Sequence, residues 1–276
     1  MGHGKLKKFA ENENFPCLIQ PSAKELLEDG FFALKDHPVK GRWCEEMFSS
    51  ARPIVLELGC GKGEYTIDLA RRDSTRNYIG VDIKWARLWK GAKQATADRL
   101  ENVAFLRTRV EFITAFFTSG EVSEIWLTFS DPQMRSENSR LTSPIFLERY
   151  RRILAPGGVV HLKTDSRFLF EYSKAVAQCN GLKILSATTD LYGEPHCLHP
   201  ALYEVQTFYE KLFLEQGYKI NCLEFVIDKD GPYEYPEFDA DHWRSVEGPR
   251  RLFGHDSAET RRQKMCADQS SYSRRK

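Results

Sequence analysis

The sequence predicts an α/β fold in which helices cover both faces of a doubly wound, mostly parallel sheet. Short apolar runs alternate with segments of helical period from Ile54 onward. The first run, Ile54–Leu58, ends in glycines and leads directly into a helical segment at 64–72. Apolar strands that alternate with helices are typical of sheets buried on both faces. We expect seven strands, with the last pair antiparallel.

Each predicted element is bounded by turn residues and has the period of its class. After the first strand, we predict strands at 77–82, 103–106, 124–129 and 159–164. The predicted helices are 64–72, 85–99, 143–154 and 167–178. Strands and helices alternate less regularly after this point, and two further predicted strands at 182–188 and 220–227 flank a helix at about 201–216.

Composition divides the chain into three parts. Residues 1–50 combine a basic, polar start with turn signals, and we assign them to an N-terminal extension. Residues 51–228 carry the alternating pattern and form the main domain. Residues 229–276 are rich in Pro, Asp, Arg and Ser with basic clusters, and we assign them to a polar C-terminal tail.

Charge and composition exclude several classes of protein. The 40 Lys and Arg residues balance 39 Asp and Glu residues, so any basic surface for nucleic acid must be local. No apolar stretch reaches the length of a membrane-spanning helix. The seven scattered cysteines form no C-x-x-C pair, which indicates a reducing, cytoplasmic environment without a disulfide framework.

A glycine-rich turn, ELGCGKG at 57–63, follows the first predicted strand. Gly59 and Gly61 allow a sharp turn and close approach to a ligand. Glu64 stands where a dinucleotide fingerprint has its third glycine, and a carboxylate disfavours a pyrophosphate. Glu57 and Asp82, which ends the second strand, suit a cationic ligand with free ribose hydroxyls. We therefore predict S-adenosylmethionine; the alternative is that the glycines only form a tight turn.

The motif TFSDPQ at 128–133 ends the fourth predicted strand. Here the sequence resembles the bacterial tRNA (guanine-N7-)-methyltransferase family, from the glycine turn to about Phe225. The other supporting motifs are IGVDIK at 79–84, LAPGG at 154–158, KTD at 163–165 and TFYE at 207–210. The Asp-Pro motif followed by Thr-x-x-Glu is the specific part of this resemblance.

The resemblance implies a Rossmann-like, S-adenosylmethionine-dependent methyltransferase fold and transfer to guanine N7 in tRNA, at position 46 of the variable loop. It implies tRNA as partner, residues 51–228 as the methyltransferase domain and residues 1–50 as a candidate RNA arm. We also expect no membrane association, from the composition, and a monomer or homodimer. Asp131 would be the catalytic acid. The residues implied to bind the cofactor are Glu57, Gly59, Gly61, Asp82, Arg109 and Asp131. Those implied to bind the RNA substrate are Arg135, Asp165, Thr207 and Glu210.

Three positions depart from the family pattern. Gln133 stands where Trp usually follows Asp-Pro, Arg135 replaces a usual Lys, and Arg109 aligns with an acidic residue. These departures keep open an alternative, an RNA-binding protein that keeps the fold without transfer activity. A nicotinamide-dependent oxidoreductase is a further alternative, against which Glu64 argues.

The chemistry assigns Asp131 a role in charge stabilisation. Guanine N7 has a free lone pair and its methylated product is cationic, so a carboxylate stabilises developing charge without removing a proton. The structural alternatives are that Asp131 caps a turn, that Asp165 caps a helix, and that Thr207 and Glu210 form a capping box. The sequence HCLH at 196–199 lacks a second ligand pair, so we expect no metal site.

Overall fold

The computed structural model describes residues 11–27, 33–194 and 199–247. Its strands are β1 Leu18–Ile19, β2 Ile54–Leu58, β3 Asn77–Asp82, β4 Val103–Arg107, β5 Val122–Thr128, β6 Leu154–Thr164, β7 Ile184–Thr188 and β8 Asn221–Val226. Its helices are α1 Ala23–Leu26, α2 Trp43–Glu46, α3 Glu64–Arg72, α4 Trp85–Ala97, α5 Pro144–Arg151, α6 Arg167–Cys179, α7 Ala201–Glu204, α8 Phe208–Glu215 and α9 Ala240–Glu247. Two 3-10 helices span Val110–Ala115 and Glu137–Ser139.

The strands form one sheet in the order β1-β4-β3-β2-β5-β6-β8-β7. Strands β1 to β6 pair in parallel, and β8 is antiparallel to both β6 and β7. This confirms the predicted doubly wound α/β class and its antiparallel end. The seven predicted strands are joined by an eighth, β1, which adds two residues of the N-terminal extension to the edge beside β4.

The helix predicted at 201–216 is divided into α7 and α8. Thr207 is extended, with φ −74° and ψ 162°, and its side chain caps α8. The carbonyl of Val205 accepts a hydrogen bond from Lys163 Nζ at 2.9 Å, so it is directed toward the sheet. The periodic pattern does not reveal this break, because Ala201, Val205, Phe208 and Leu212 keep the apolar spacing of a continuous helix.

Both faces of the sheet are buried, which explains the apolar runs. On one face, Leu56 and Ile125 belong to a core shared with the residues of α5 and α6. On the other face, Val55, Phe105 and Trp126 belong to a core shared with α3 and α4. The loops that follow these strands therefore begin at backbone that is packed against helices on both faces of the sheet.

The described part of the N-terminal extension packs on this body. Trp43 is fully buried, stacks on Phe117 with ring centroids 5.1 Å apart, and donates its indole N–H to the Phe116 carbonyl at 2.8 Å. The lysines of the candidate RNA arm, Lys5, Lys7 and Lys8, lie outside the described residues.

Residues 229–247, which the composition assigns to the tail, pack against α6. The Asn180 side chain donates to the Glu234 carbonyl at 2.9 Å and accepts from its amide at 2.8 Å. The ring of Phe238 meets Phe168 and Tyr172 edge to face, with centroids 5.4 and 5.3 Å apart. Residues 248–276 lie outside the described part of the chain. Within the described part, no helix is long and apolar enough to cross a membrane.

Candidate active site

The predicted site residues gather at the carboxyl edge of the sheet. The glycine turn follows β2, Asp82 ends β3, Asp131 follows β5 and Asp165 follows β6. These four strands are parallel neighbours, so their ends lie side by side. Arg109 follows β4, one strand further out. In open α/β sheets this edge is where ligands bind.

The glycine turn takes a left-handed backbone at three positions. Gly59, Gly61 and Gly63 have φ angles of +81°, +58° and +71°, which glycine adopts without steric cost. A Cβ at Gly63 would lie 2.5 Å from the Phe105 ring, whereas one at Gly61 would meet nothing within 4 Å. Gly63 therefore permits close packing of α3, while Gly61 faces open space at the ligand side.

Asp82 fixes the glycine turn. Its carboxylate accepts from the Gly61 amide at 3.0 Å and from the Lys84 amide at 2.7 Å, and the residue is 7% exposed. Each carboxylate oxygen has capacity for a further hydrogen bond. Asp82 is therefore held rigidly in place and keeps acceptor capacity for a ribose hydroxyl.

Glu57 lies buried beneath the glycine turn. Its carboxylate accepts from the Thr66 amide at 2.8 Å, from the Thr66 hydroxyl and from the Thr128 hydroxyl. Burial raises the pKa of Glu57 to about 7, although these donors act in the opposite direction. The side chain thus ties β2, α3 and β5 together; its contact with a cofactor stays a prediction.

The neighbouring surface fits S-adenosylmethionine. At the end of β4, next to Asp82 in the sheet, Arg107 Nε and Thr108 Oγ1 are buried without a hydrogen-bond partner among the described residues. Beside them the side chain of Ile83 is 51% exposed. Unpaired polar atoms next to an exposed apolar side chain suit a purine ring, and the carboxylate of Asp82 suits its ribose.

The Asp131 loop, defined here as residues 129–140, is strained on both sides of its acid. Phe129 and Gln133 have φ angles of +50° and +46°, which residues with side chains adopt at a cost. Asp131 is exposed, and its Oδ1 accepts from the Gln133 amide at 3.0 Å. Asp131 therefore caps its own turn, as the structural alternative anticipated, and its exposed carboxylate lies just beyond the end of β5; its role in catalysis stays a prediction.

The residues implied to bind RNA lie in three settings. Arg135 is exposed on the Asp131 loop, and Asp165 is half-buried at the end of β6. The cap of α6 is Ser166, whose hydroxyl accepts from the Leu169 amide at 3.0 Å, so the alternative that Asp165 caps this helix is wrong. Thr207 and Glu210 lie at the start of α8. Arg109, which the resemblance assigns to the cofactor, is 57% exposed and pairs with Glu111 at 3.0 Å.

Thr207 and Glu210 occupy the first turn of α8. The Thr207 hydroxyl accepts from the Glu210 amide at 3.2 Å, as in a capping box. The Glu210 side chain is fully buried, and its Oε1 lies 2.8 Å from Lys163 Nζ and accepts from the Tyr192 hydroxyl at 2.6 Å. The Glu210 side chain thus pairs with Lys163 of β6, whereas the Thr207 side chain caps the start of α8.

Glu64 joins this helix to the glycine turn. At the start of α3, its carboxylate accepts from the Phe208 amide at 3.2 Å and from Lys90 Nζ at 3.1 Å. The pKa of Glu64 is lowered because these hydrogen bonds outweigh the opposing effect of burial. The predicted substrate helix therefore begins directly beside the predicted cofactor loop.

No cluster of metal-ligating side chains occurs in the described residues. Of the HCLH segment, His196, Cys197 and Leu198 lie outside the described residues, and the His199 ring meets Trp126 edge to face at 4.9 Å.

Comparison with known proteins identifies the family. A family model described as "Putative methyltransferase" matches residues 51–223. The tRNA (guanine-N(7)-)-methyltransferase of Bacteroides fragilis is 44% identical over 255 residues, which cover 91% of this chain and 97% of the relative. The chain belongs to the tRNA (guanine-N(7)-)-methyltransferase family. A member from Porphyromonas gingivalis is 45% identical, covering 87% of this chain and 97% of its own length.

Solved structures agree on the fold of this family member. The 16S rRNA methyltransferase KamB superimposes with a TM-score of 0.52 at 17% identity, covering 67% of this chain and 92% of that one. The 16S rRNA (adenine(1408)-N(1))-methyltransferase from Catenulisporales acidiphilia gives a TM-score of 0.51 at 14% identity, covering 74% and 97%. The predicted methyltransferase fold is confirmed.

The sequence motifs do not reveal the partners that hold the acidic side chains of this methyltransferase. Thr66 and Thr128 hold Glu57, and Lys163 and Tyr192 hold Glu210. One signal was present: Lys163 stands in an apolar strand, where a buried ammonium requires a partner. The identity of that partner depends on the fold, because Glu210 lies on a distant helix.

Proposed function

We propose that this protein transfers a methyl group from S-adenosylmethionine to N7 of a guanine in tRNA. The observation that carries the proposal is the 44% identity to the Bacteroides fragilis tRNA (guanine-N(7)-)-methyltransferase across 97% of that protein. The site supports it, since Gly61 and Asp82 on the cofactor side adjoin the strand end that leads to Asp131. The alternative of binding without transfer rests on the departures at Gln133 and Arg109, and the names of the relatives do not favour it.

When bound, S-adenosylmethionine supplies an electrophilic methyl group on a sulfonium. The chain's own residues then position the reactants. Asp82 and the open face of Gly61 orient the donor, and the rigid turn keeps this geometry fixed. Guanine N7 needs no deprotonation. Asp131 stabilises the positive charge that develops on the purine, for which an exposed carboxylate at the sheet edge is suited.

Guanine recognition is assigned to Asp165 and to the first turn of α8. The N1–H and N2 amine of guanine are donors, and the half-buried carboxylate of Asp165 is a matching acceptor. Glu210 is fully buried against Lys163, so its part is to hold Thr207 and α8 beside the glycine turn. This shifts the direct contact with the base from Glu210 toward Asp165.

The proposal also covers the target base in the tRNA, the residues that contact phosphates, the cellular compartment and the oligomeric state. N7 lies in a deep, narrow groove of helical RNA, so the target base must be unpaired or turned out. We propose the guanine at position 46 of the variable loop as the target, as the resemblance to the family implies. Arg135 and the N-terminal lysines would contact phosphates. Free thiols at Cys17, Cys44, Cys60 and Cys179 support a reducing, cytoplasmic setting, in which the protein would act as a monomer or homodimer.

Incubation with labelled S-adenosylmethionine and bulk tRNA, followed by nucleoside mass spectrometry, tests the proposal. We expect N7-methylguanosine as the labelled product. A transcript with adenine at position 46 should remain unlabelled if the variable-loop assignment is right. Binding of both S-adenosylmethionine and tRNA without any labelled nucleoside would favour the non-catalytic alternative.

A further inference from the structure

The Asp131 loop is held by two guanidinium groups that bind its backbone carbonyls. Arg140 donates through Nε to the Gln133 carbonyl at 3.4 Å and through Nη2 to the Met134 carbonyl at 3.5 Å. Arg244 donates through Nε to the same Met134 carbonyl at 3.1 Å. These carbonyls follow Asp131 within three residues, so both arginines act on the backbone that sets the position of the acid.

The two arginines come from different parts of the chain. Arg140 belongs to the loop itself, is 3% exposed, and packs over the rings of Tyr172 and Phe168 at 4.2 and 4.7 Å. Arg244 lies in α9, beyond the end of the matched family model at residue 223. The loop is therefore fixed partly by a segment outside the matched domain.

That segment, residues 234–247, is called here the C-terminal strap. It is anchored on α6 by Phe238 and by Glu247, whose carboxylate accepts from the Phe168 amide at 2.9 Å. A second contact reaches the Asp131 loop, where the Tyr235 hydroxyl donates to the Asn138 side chain at 2.6 Å. The strap thus bridges the first turn of α6 and the Asp131 loop, which it contacts at Met134 and Asn138.

We infer that Arg244 is a positioning residue for methyl transfer: it acts through the Met134 carbonyl to hold the Asp131 loop in its active shape. The inference rests on the proposed function. Its physical basis is that Phe129 and Gln133 are held at positive φ, a strained arrangement that persists only where the surroundings enforce it. A charged donor on the following carbonyl supplies part of that enforcement.

The test compares Arg244→Ala and Arg244→Lys with a control on the same helix, Val246→Ala, whose side chain is 51% exposed. We expect Arg244→Ala to lower kcat by about tenfold, which corresponds to about 1.4 kcal/mol, because the strained loop loses a charged donor on the Met134 carbonyl. Arg244→Lys should recover part of the loss because an ammonium can still donate to the carbonyl. Affinity for S-adenosylmethionine should fall by less than kcat does, because Gly61 and Asp82 lie outside the loop and only Asp131, which the resemblance also assigns to the cofactor, lies within it.

Hydrogen exchange supplies a readout that does not depend on activity. The amides of Ser136 and Arg140 donate within the loop, to Gln133 and Glu137 at 3.1 and 3.0 Å. In Arg244→Ala they should exchange faster than in the wild type and in Val246→Ala, while amides of β2 remain unchanged. Unchanged loop exchange, or unchanged kcat in an active enzyme, would overturn the inference. The proposed function alone would be refuted if the wild type made no methylguanosine while Arg244→Ala still exchanged its loop amides faster than the wild type.

Discussion

The ammonium of Lys163 lies 2.8 Å from Oε1 of Glu210, and both side chains are fully buried. Lys163 also donates to the Val205 carbonyl at 2.9 Å, just before the capping Thr207. A single side chain of β6 therefore fixes the start of α8. It joins the Lys-Thr-Asp motif at the end of β6 to the Thr-x-x-Glu motif that follows Val205.

Replacing Lys163 by Met should lower the free energy of unfolding by about 3–5 kcal/mol, because the Glu210 carboxylate would stay buried without its counter-charge. The double variant with Glu210→Leu should be more stable than Lys163→Met alone, since it removes the isolated charge. Urea unfolding of the four proteins in this cycle measures the coupling. Additive effects would contradict a buried ion pair.

Glu57 gives a specific pH dependence of stability. Burial raises its pKa from 4.5 to about 7 in the folded protein. The folded state therefore keeps a proton that the unfolded chain releases, and stability from this group decreases as pH rises from about 4.5 to about 7. In Glu57→Gln this loss is absent. Between about pH 5 and pH 8, the wild type should therefore lose up to about 3 kcal/mol of unfolding free energy relative to Glu57→Gln. Parallel pH profiles would refute the buried carboxyl.

Asp131→Asn separates the charge of this residue from its turn. The amide oxygen of Asn can still accept from the Gln133 amide, so stability should change by less than about 0.5 kcal/mol. We expect kcat to fall by about 10²-fold or more because the developing positive charge loses its carboxylate. tRNA affinity should persist. Single-turnover methylation with a filter-binding control checks both, and near wild-type turnover would remove Asp131 from the chemistry.

Two glycines of one turn should respond differently to Ala. At Gly63 the added Cβ would meet the Phe105 ring at 2.5 Å, so we expect a loss of about 3–4 kcal/mol in unfolding free energy. At Gly61 the space is open, and only the left-handed backbone costs about 1–2 kcal/mol. Gly61→Ala should nevertheless weaken S-adenosylmethionine binding, since its Cβ enters the ligand side. Calorimetric titration tests this, and unchanged affinity would place the cofactor elsewhere.

We expect the basic N-terminus to contribute to tRNA binding in a salt-dependent way. Replacing Lys5, Lys7 and Lys8 by Ala should weaken tRNA binding. It should also reduce the slope of log K against log salt by up to about 0.9 for each RNA phosphate that these lysines neutralise in the wild type. Fluorescence titrations at several salt concentrations measure this slope. The same slope in both proteins would show that the N-terminus is not an RNA arm.

Local signals carried much of the prediction. The bounds of β2, β3 and α3 match the predicted ones, because apolar runs end at glycines and turn residues that are visible in the sequence. The sequence predicts one continuous helix at 201–216, since Ala201, Val205 and Phe208 continue the apolar helical period across the break. The break depends on Lys163, whose distance from Val205 along the chain conceals their contact.

The sequence by itself determined the alternation of strands and helices, the glycine turn, and the strand ends at which Asp82, Asp131 and Asp165 stand. The hydrophobic period and the turn residues depend only on neighbours in the chain, so they can be recognised without knowledge of the fold. Only the tertiary structure decided that Glu210 is buried against Lys163, and that Arg244 reaches the Asp131 loop. These contacts join segments distant in sequence, and burial, which makes each charge require a partner, exists only once the sheet and helices have packed.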